Sequence, residues 1–227
     1  MGSPLLDGLR TLDGASIANA IETFDVRLRN EGFADSSIRC LTPSLPAAAG
    51  YAVTARIRCS APPPVGQRYH DRTDWWNYIA GVPAPRFVVV EDIDERPGLG
   101  GFVGAVHASI LRALGCEAYA TNGSVRDVVT AKESQGLAMF AGGVAVSHAF
   151  AHIVDFGGPV RIGGLTVASG DVLFGDAHGV QSVPPALVDR LPAAVAEMRT
   201  NERAVMEFCR SPRFSIDGLR LLVRSLK

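Results

Sequence analysis

The sequence predicts an α/β fold in a single domain that spans residues 1–227. Helical patterns of apolar residues lie towards both ends, and short β-branched segments separated by glycines fill the middle. The 227 residues, 47% of them hydrophobic, suffice for one sizeable core. A layered arrangement is favoured over a doubly wound nucleotide-binding fold, because the glycine-rich stretch 98–104 has neither of the two phosphate-loop spacings.

Apolar residues recur at helical spacing in several segments, and these segments are predicted to be helices. Ser16 is the expected N-cap of the first one, because a serine hydroxyl can accept a hydrogen bond from a free amide of the first turn. Polar and aromatic residues 69–76 predict an exposed loop that leads into the second helix. The predicted helices are 16–28, 74–80, 105–116 and 185–209.

Strands are predicted where apolar residues alternate with polar ones or form short β-branched runs. Residues 50–59 alternate strictly, which indicates a strand with one wetter face, whereas residues 44–49 are rich in turn-forming types. Prolines at 62–64 exclude regular structure there. The remaining predicted strands are 86–90, 118–120, 144–154, 160–167, 172–174 and 180–183.

Charge and cysteine content exclude several classes of protein. With 22 basic and 23 acidic residues the net charge is −1, which offers no general attraction to nucleic acid or to an acidic membrane. No apolar run approaches the length of a membrane span, and the N-terminus lacks the pattern of a signal peptide. The four cysteines are scattered without a Cys-x-x-Cys pair, so we expect reduced thiols in a cytoplasmic protein.

An arginine and a carboxylate stand side by side at Arg126 and Asp127, after an Asn-Gly pair that predicts a tight turn. The guanidinium of arginine can hold a carboxylate with two parallel hydrogen bonds. Aspartate is a hard oxygen ligand that suits Mg²⁺ or Mn²⁺. Chemistry on a 2-oxo acid needs both functions, because an enolate develops beside the carboxylate. An ordinary solvated ion pair is the alternative interpretation.

A second candidate site lies where the glycine-rich turn meets the predicted helix. The first turn of a helix has free amides and the positive end of the helix dipole. Residues Gly104, Ala105, Val106 and His107 occupy that turn, so they are predicted to receive an oxygen of a small anion.

Two further groups of polar residues leave alternatives open. The acidic residues within 91–95 suit a solvated turn, or Asp92 or Asp94 lies near a metal. His148 and His152, four residues apart, would share a face of a helix and bind a transition metal there. The valines around them favour extended structure instead, so packing or hydrogen bonding between subunits is the default expectation for both histidines.

Several segments, taken in order, resemble the RraA-like family, which contains 4-hydroxy-4-methyl-2-oxoglutarate aldolases, related oxaloacetate decarboxylases and the regulator of ribonuclease activity A. The resemblance covers most of the chain. It implies a three-layer β/β/α sandwich of the swivelling-domain type and a homotrimer or homohexamer with active sites between subunits. The segments that support it are 94–104, 121–127, 140–143, 146–148, 154–157, 163–165, 169–171 and 176–180.

The resemblance also implies roles for individual residues. It assigns substrate contacts to Gly104, Ala105, Val106, His107 and Arg126, and the metal to Asp127. Aldolases of the family carry an acidic residue at the position of Ala105, where it holds metal-bound water.

Two other positions bear on metal binding. Asn122 stands where many relatives have aspartate. Glu202, in the C-terminal helix, lies at roughly the position from which a neighbouring subunit supplies a glutamate; its alternative is a solvent-facing helix residue.

The leading functional hypothesis is a lyase that depends on Mg²⁺ or Mn²⁺ and acts on a small 2-oxo acid. The reaction would be retro-aldol cleavage of a 4-hydroxy-2-oxo acid, decarboxylation of oxaloacetate, or both, with release of pyruvate. A non-catalytic regulatory or binding protein on the same fold is the alternative. The regulator branch of the family lacks the acid after the arginine, so Asp127 favours metal chemistry.

Overall fold

The fold consists of a mixed sheet with helices at both ends of the chain. In the computed structural model, residues 4–66, 68, 71–130 and 136–226 are described. The helices are α1 (Pro4–Arg10), α2 (Gly14–Glu22), α3 (Thr73–Gly81), α4 (Ala105–Ala113), α5 (Leu191–Arg210) and α6 (Ile216–Ser225). The strands are β1 (Arg39–Cys40), β2 (Ala48–Arg58), β3 (Arg86–Asp92), β4 (Gly101–Val103), β5 (Cys116–Val125), β6 (Ala138–Val144), β7 (His152–Phe156), β8 (Val160–Ile162), β9 (Leu165–Val167), β10 (Val172–Asp176) and β11 (Gly179–Val183).

The main sheet has the order β1-β6-β5-β3-β2-β10-β11, with β4 beside β5 and β7 beside β2. Strands β6, β5, β3 and β2 pair in parallel with one another. Strand β1 pairs antiparallel with β6, β10 with β2, and β11 with β10. Strand β7 pairs antiparallel with the far end of β2. The carboxyl ends of the parallel strands therefore meet at one edge of the sheet, where ligands bind in many open α/β sheets.

Strand β3 explains why the sheet is covered on both faces. Its four central residues, 87–90, are all buried, as is typical of a parallel strand between two layers. Val88 and Val90 pack with α3 and α4 on one face. Phe87 and Val89 face the other side, where the β8–β9 hairpin covers them. The result is the three-layer β/β/α arrangement that the sequence resemblance implies.

A further core joins both ends of the chain to the sheet. Buried apolar side chains of α1, α2 and α5 pack against buried side chains of β10 and β11. Helix α6, in contrast, has no buried residue. None of the described helices is both long and apolar enough to cross a membrane.

The first predicted helix differs from the observed one at both ends. Helix α2 begins at Gly14, and Asp13 is its N-cap, because the Asp13 carboxylate accepts hydrogen bonds from the amide and the hydroxyl of Ser16 at 2.8 and 2.7 Å. Ser16 therefore lies inside the first turn. The helix ends at Glu22, and Asp25 then adopts a left-handed backbone with φ of 49°, which excludes continuation to residue 28.

The predicted strand 144–154 is also wrong. Strand β6 ends at Val144, β7 begins at His152, and the segment between them is irregular. Val146 is fully exposed, so its β-branched side chain marks no buried strand. The segment predicted as strand 160–167 is a hairpin of β8 and β9, and helix 185–209 is observed as a short 3-10 turn followed by α5.

Other differences are smaller. Strand β2 begins at Ala48, inside the predicted turn 44–49. Within the predicted loop 69–76, residues 69 and 70 lie outside the described part of the chain, and α3 begins at Thr73. Sequence patterns did not reveal α1, α6 or the start of β6.

Gly175 in β10 provides a test of the core packing. A Cβ at this position would lie 2.6 Å from Cζ of Phe140, and that ring is fully buried against Phe87. We expect Gly175→Ala to lower the free energy of unfolding by about 1–3 kcal/mol, measured by urea denaturation. Gly158→Ala is the matched control, because a Cβ there meets no atom within 4 Å. Equal stability of the two variants would contradict this packing.

Candidate active site

Strand β4 brings the two predicted site segments together. It lies parallel to the end of β5, with Gly101 opposite Ser124 and Val103 opposite Val125. The Arg126 amide donates to the Val103 carbonyl at 2.9 Å, which continues this pairing beyond β5. Helix α4 starts directly after β4, so its first turn lies beside the residues that follow β5.

The Asp127 carboxylate faces the start of α4. Its Oδ2 accepts from the Ala105 amide at 3.4 Å and lies 3.3 Å from Nε of Arg126. Asp127 has a left-handed backbone with φ of 53°, which is unusual for a residue with a side chain. A Cβ on Gly104 would lie 2.6 Å from this same Oδ2, so only glycine allows the approach.

Helix α4 begins at Ala105, the position that the sequence predicts. The first hydrogen bond within the helix runs from the Ala108 amide to the Gly104 carbonyl at 2.9 Å. The amides of Ala105 and Val106 precede it in the first turn, and the Ala105 amide is directed at the Asp127 carboxylate. The N-cap, Gly104, has no side chain, and the first turn contains no acidic residue, so the positive end of the helix dipole is not neutralised from within α4.

A cleft of about 580 Å³ lies over this junction. All six predicted site residues line it, so the structure brings together what the sequence separates by about twenty positions; their roles in binding and catalysis stay predictions. The lining comprises Pro62, Pro63, Arg68, Gly101, Phe102, Gly104, Ala105, Val106, His107, Arg126, Asp127, His148, Ala149, Phe150 and Ala151.

The chemistry of this lining fits a hard divalent cation rather than zinc. Among the described lining residues, Asp127 supplies the only carboxylate, and its side chain is 43% exposed. Mg²⁺ and Mn²⁺ accept a single carboxylate when water and substrate oxygens complete the coordination. Zinc prefers several histidine or cysteine ligands, and His148, the exposed histidine of the cleft, has its Nδ1 2.7 Å from the Ala149 carbonyl.

His107 belongs to the lining of the cleft, but its ring does not titrate near neutral pH. The ring is buried, its Nδ1 lies 3.3 Å from the Phe102 carbonyl, and it packs edge-on against the Phe102 ring with centroids 4.7 Å apart. Burial lowers the pKa of His107 from 6.5 to about 4. The imidazole is therefore neutral at physiological pH. Its contacts with Phe102 pack the first turn of α4 against β4.

The acidic residues within 91–95, at the end of β3 and just after it, do not line the cleft. The interpretation of this segment as a solvated turn is wrong for Asp92. Asp92 is buried, and its two oxygens accept from the amides of Asp94 and Gly98 at 3.1 and 2.8 Å. Burial raises the pKa of Asp92. Burial opposes the charge on Asp94 too, yet hydrogen bonds from Ser60 and Cys59 hold the pKa of Asp94 below its usual value.

Cys59 completes a cluster with these two acids. Its sulfur and one carboxylate oxygen from each of Asp92 and Asp94 lie within 4.8 Å of one another. Burial, with the nearby carboxylates, raises the pKa of Cys59 to about 12, so the thiol stays protonated and faces the Gly100 carbonyl at 3.6 Å. The cluster thus holds the glycine-rich segment before β4 in place.

The predicted tight turn at Asn122 and Gly123 is corrected by the backbone. Asn122 and Gly123 lie within β5, at an irregularity in its pairing with β6, rather than in a tight turn. The Asn122 side chain bonds both the amide and the carbonyl of Asp92, at 2.7 and 2.9 Å. It is therefore a structural link between β5 and β3, outside the lining of the cleft.

The remaining candidates lie apart from the cleft of their own chain. His152 is buried, with Nδ1 2.8 Å from the Phe150 carbonyl, and it does not group with His148 around a common metal position among the described residues. Glu202 is exposed on α5. A contribution of Glu202 to a neighbouring subunit stays a prediction.

Sequence reasoning missed one wall of the cleft. Pro62 and Pro63 follow β2, and Phe150 and Ala151 precede β7, so the pairing of β2 with β7 brings them together. The only local signal was the proline run, which predicts irregular structure without showing what it faces.

The buried His107 predicts how stability depends on pH. The pKa of His107 is lowered from 6.5 in the unfolded state to about 4 in the folded state. Between these pH values the unfolded state binds a proton at His107 and the folded state does not, so stability falls as the pH falls. Stability should fall across this window by up to about 3 kcal/mol from this group. We expect His107→Gln to flatten the dependence of the unfolding free energy on pH between 6.5 and 4, measured by urea denaturation; an unchanged slope would contradict burial of the ring.

Comparison with solved structures supports the fold. An uncharacterized protein from Pseudomonas syringae pv. tomato str. DC3000 is 21% identical, with a TM-score of 0.72 over 97% of this chain and 94% of its own. Streptomyces coelicolor RraAS2, described as an unusual member of the RNase ES inhibitor RraA protein family, is 17% identical, with a TM-score of 0.68 over 89% and 96%. The RNA-processing inhibitor RraA from Thermus thermophilis is 14% identical, with a TM-score of 0.52 over 73% and 92%.

These identities are low, so the likenesses concern the fold alone. No curated protein matches the chain. The family model described as RraA-like, Aldolase/RraA, matches residues 15–181, which include β2 to β10, α4 and every predicted cleft residue before α5. The match spans well over half of the sequence, and the chain therefore belongs to the RraA-like family, which includes both aldolase or decarboxylase members and RNase-inhibitor members.

Proposed function

We propose that this protein is a divalent-metal-dependent lyase that cleaves a 2-oxo acid and releases pyruvate. One observation supports the proposal above the others: Arg126, Asp127 and the N-terminus of α4 meet in one cleft. A guanidinium can bind the substrate carboxylate, a hard carboxylate can hold a divalent cation, and a helix N-terminus favours a developing negative charge. The membership of aldolases in the family supports the same assignment.

In a retro-aldol cleavage, the bond between C3 and C4 breaks as the C4 hydroxyl loses its proton and becomes a carbonyl. The electron pair passes to C3 and forms the enolate of pyruvate, which then takes a proton at C3. Arg126 would bind the substrate carboxylate, and the N-terminus of α4 would stabilise the enolate oxygen. Mg²⁺ or Mn²⁺ held by Asp127 would supply Lewis-acid stabilisation of the same charge.

The contact between Arg126 and Asp127 is weak enough for Arg126 to bind a substrate carboxylate as well. The guanidinium is 32% exposed and contacts the carboxylate through Nε at 3.3 Å, which is long for a charge-assisted hydrogen bond. Its remaining donors are thus available to a ligand. Because the pair is partly exposed, separating the two charges costs little.

Assembly is part of the proposal. Family members are typically oligomeric, and an exposed Glu202 on α5 is available to a neighbouring subunit of a homotrimer or homohexamer. Such a glutamate would hold water next to the cation at Asp127, a role that normally changes metal affinity by about tenfold to a hundredfold.

A non-catalytic binding function is the second candidate, and Ala105 is the observation that favours it. The residue lines the cleft without a carboxylate, so within its own chain Asp127 is left with no acidic companion in the described lining. Family members include RNase inhibitors, which shows that the fold also serves regulation.

A pyruvate-release assay distinguishes the two functions. The purified chain is incubated with oxaloacetate and a panel of 4-hydroxy-2-oxo acids, with Mg²⁺, with Mn²⁺ and with a chelator. Metal-dependent release of pyruvate from at least one compound is expected. Failure with every compound and both metals would favour the binding function.

The arginine should not tolerate its nearest substitute. Lysine keeps the charge but loses the two-pronged geometry, so Arg126→Lys should lower kcat/KM by about tenfold to a hundredfold while the fold is unchanged. Arg220→Lys is the matched control, because Arg220 forms a comparable exposed ion pair with Asp217 on α6. Wild-type kinetics for Arg126→Lys would place this residue outside the substrate site.

Ala105 offers a gain-of-function test. Ala105→Glu introduces a carboxylate at the first helical position of α4, where it can accept from metal-bound water, and we expect Mg²⁺ affinity to rise by about tenfold with faster turnover at limiting metal. Ala105→Gln has the same size without the charge and should show neither gain. If the glutamate improves neither metal affinity, measured by calorimetry, nor pyruvate release, the account of a weakly supported metal site is wrong.

A further inference from the structure

The cleft has two ends of different chemistry. The polar end is formed by Gly104, Ala105, Arg126 and Asp127, and the apolar end by Pro62, Pro63, Phe150 and Ala151. The polar end accounts for the proposed chemistry on a 2-oxo acid. The apolar end has no role in that chemistry.

Two backbone hydrogen bonds fix the relative position of the two ends. The Gly101 amide donates to the Ser147 carbonyl at 2.9 Å, which anchors the start of segment 147–151 beside β4. The Phe150 amide donates to the Cys59 carbonyl at 3.2 Å, which anchors its other end just beyond β2. Segment 147–151 therefore runs from the polar end to the apolar end, and one elongated ligand can contact both.

The size of the cleft exceeds the needs of the polar end. A volume of about 580 Å³ lies within the range of pockets that enclose drug-sized ligands, whereas a pyruvate unit fills a small part of it. Phe150 is 51% exposed, so its ring leaves apolar surface in water that a ligand would cover. Covering apolar surface is favourable by about 25 cal/mol per Å².

On the basis of the proposed lyase function, we propose that the substrate is a 4-hydroxy-2-oxo acid whose C4 atom bears a bulky apolar group, such as an aryl ring. The carboxylate and the 2-oxo group occupy the polar end, and the C4 substituent packs between Phe150 and the prolines. Retro-aldol cleavage then releases pyruvate and an apolar aldehyde, with the same balance of bonds and protons as above.

A charged C4 substituent is the competing possibility, because Arg68 also lines the cleft. Arg68 is exposed, and a solvated arginine gains little from one more carboxylate in water. The side chains of Phe150, Pro62 and Pro63 have no polar atom that could form a hydrogen bond with a charged group. The apolar substituent is therefore the better match to the surface.

Binding is tested with non-cleavable probes on the full chain in the presence of Mg²⁺, by calorimetry. The probes are 2-oxobutanoate, 2-oxoglutarate and 2-oxo-4-phenylbutanoate, which share the 2-oxo acid and differ beyond C3. We expect the phenyl compound to bind about tenfold more tightly than 2-oxobutanoate, because roughly half of a ring is covered.

Phe150→Ala should remove most of that tenfold preference without weakening 2-oxobutanoate. Phe214→Ala is the matched control, because Phe214 has nearly the same exposure, 48%, and does not line the cleft. This control should leave the preference for the phenyl compound unchanged.

The outcomes separate this inference from the proposed function. Equal binding of the phenyl compound and 2-oxobutanoate, or tighter binding of 2-oxoglutarate, overturns the apolar substituent while pyruvate release from other 2-oxo acids still supports a lyase. Tight, Phe150-dependent binding supports the apolar end even where 4-hydroxy-2-oxo-4-phenylbutanoate yields no pyruvate, and that second result counts against the lyase. Absence of binding by all three probes overturns both.

Discussion

The approach of the Asp127 carboxylate to the first amide of α4 is the interaction on which the cleft depends. It joins two chain segments, one after β5 and one after β4, through Oδ2 of Asp127 and the Ala105 amide at 3.4 Å. Two backbone conditions permit it: Gly104 has no Cβ to obstruct the carboxylate, and Asp127 adopts φ of 53°. A left-handed aspartate is costly, and such strain is typical of positions that serve a function.

Buried polar groups behind the cleft keep this approach in register. Asp92 holds the amides of Gly98 and Asp94, and Asn122 holds the backbone of Asp92 from β5. Each of these bonds satisfies a group that would otherwise be costly to bury, so together they specify one conformation for the glycine-rich segment. The segment thereby places residues 101–104 beside Arg126, whose amide donates to the Val103 carbonyl. Asp92 and Asp94 thus affect the cleft through the backbone amides that they hold.

Local patterns predicted the parts of the site that depend on neighbouring residues. The glycine-rich turn before α4 and the Arg126–Asp127 pair were predicted from the sequence, because helix starts and ligand types are local properties. The partners of Asp92 and Asn122 were not, since both contacts cross between strands about thirty residues apart. Val146 misled for a related reason: its β-branched side chain favours a strand, but no layer covers it in the fold.

The two ends of the cleft arise from different levels of structure, and this separates chemistry from specificity. The polar end is built from two pairs of neighbouring residues, 104–105 and 126–127, which backbone hydrogen bonds between β4 and β5 hold together. The apolar end depends on the long-range pairing of β2 with β7, and its proline, phenylalanine and alanine side chains cannot form hydrogen bonds to the polar end. A substitution at Phe150 therefore changes the surface offered to a ligand without disturbing Asp127 or Arg126. In the proposed lyase, the polar end would bind the 2-oxo acid in one way while the apolar end decides which acid is accepted.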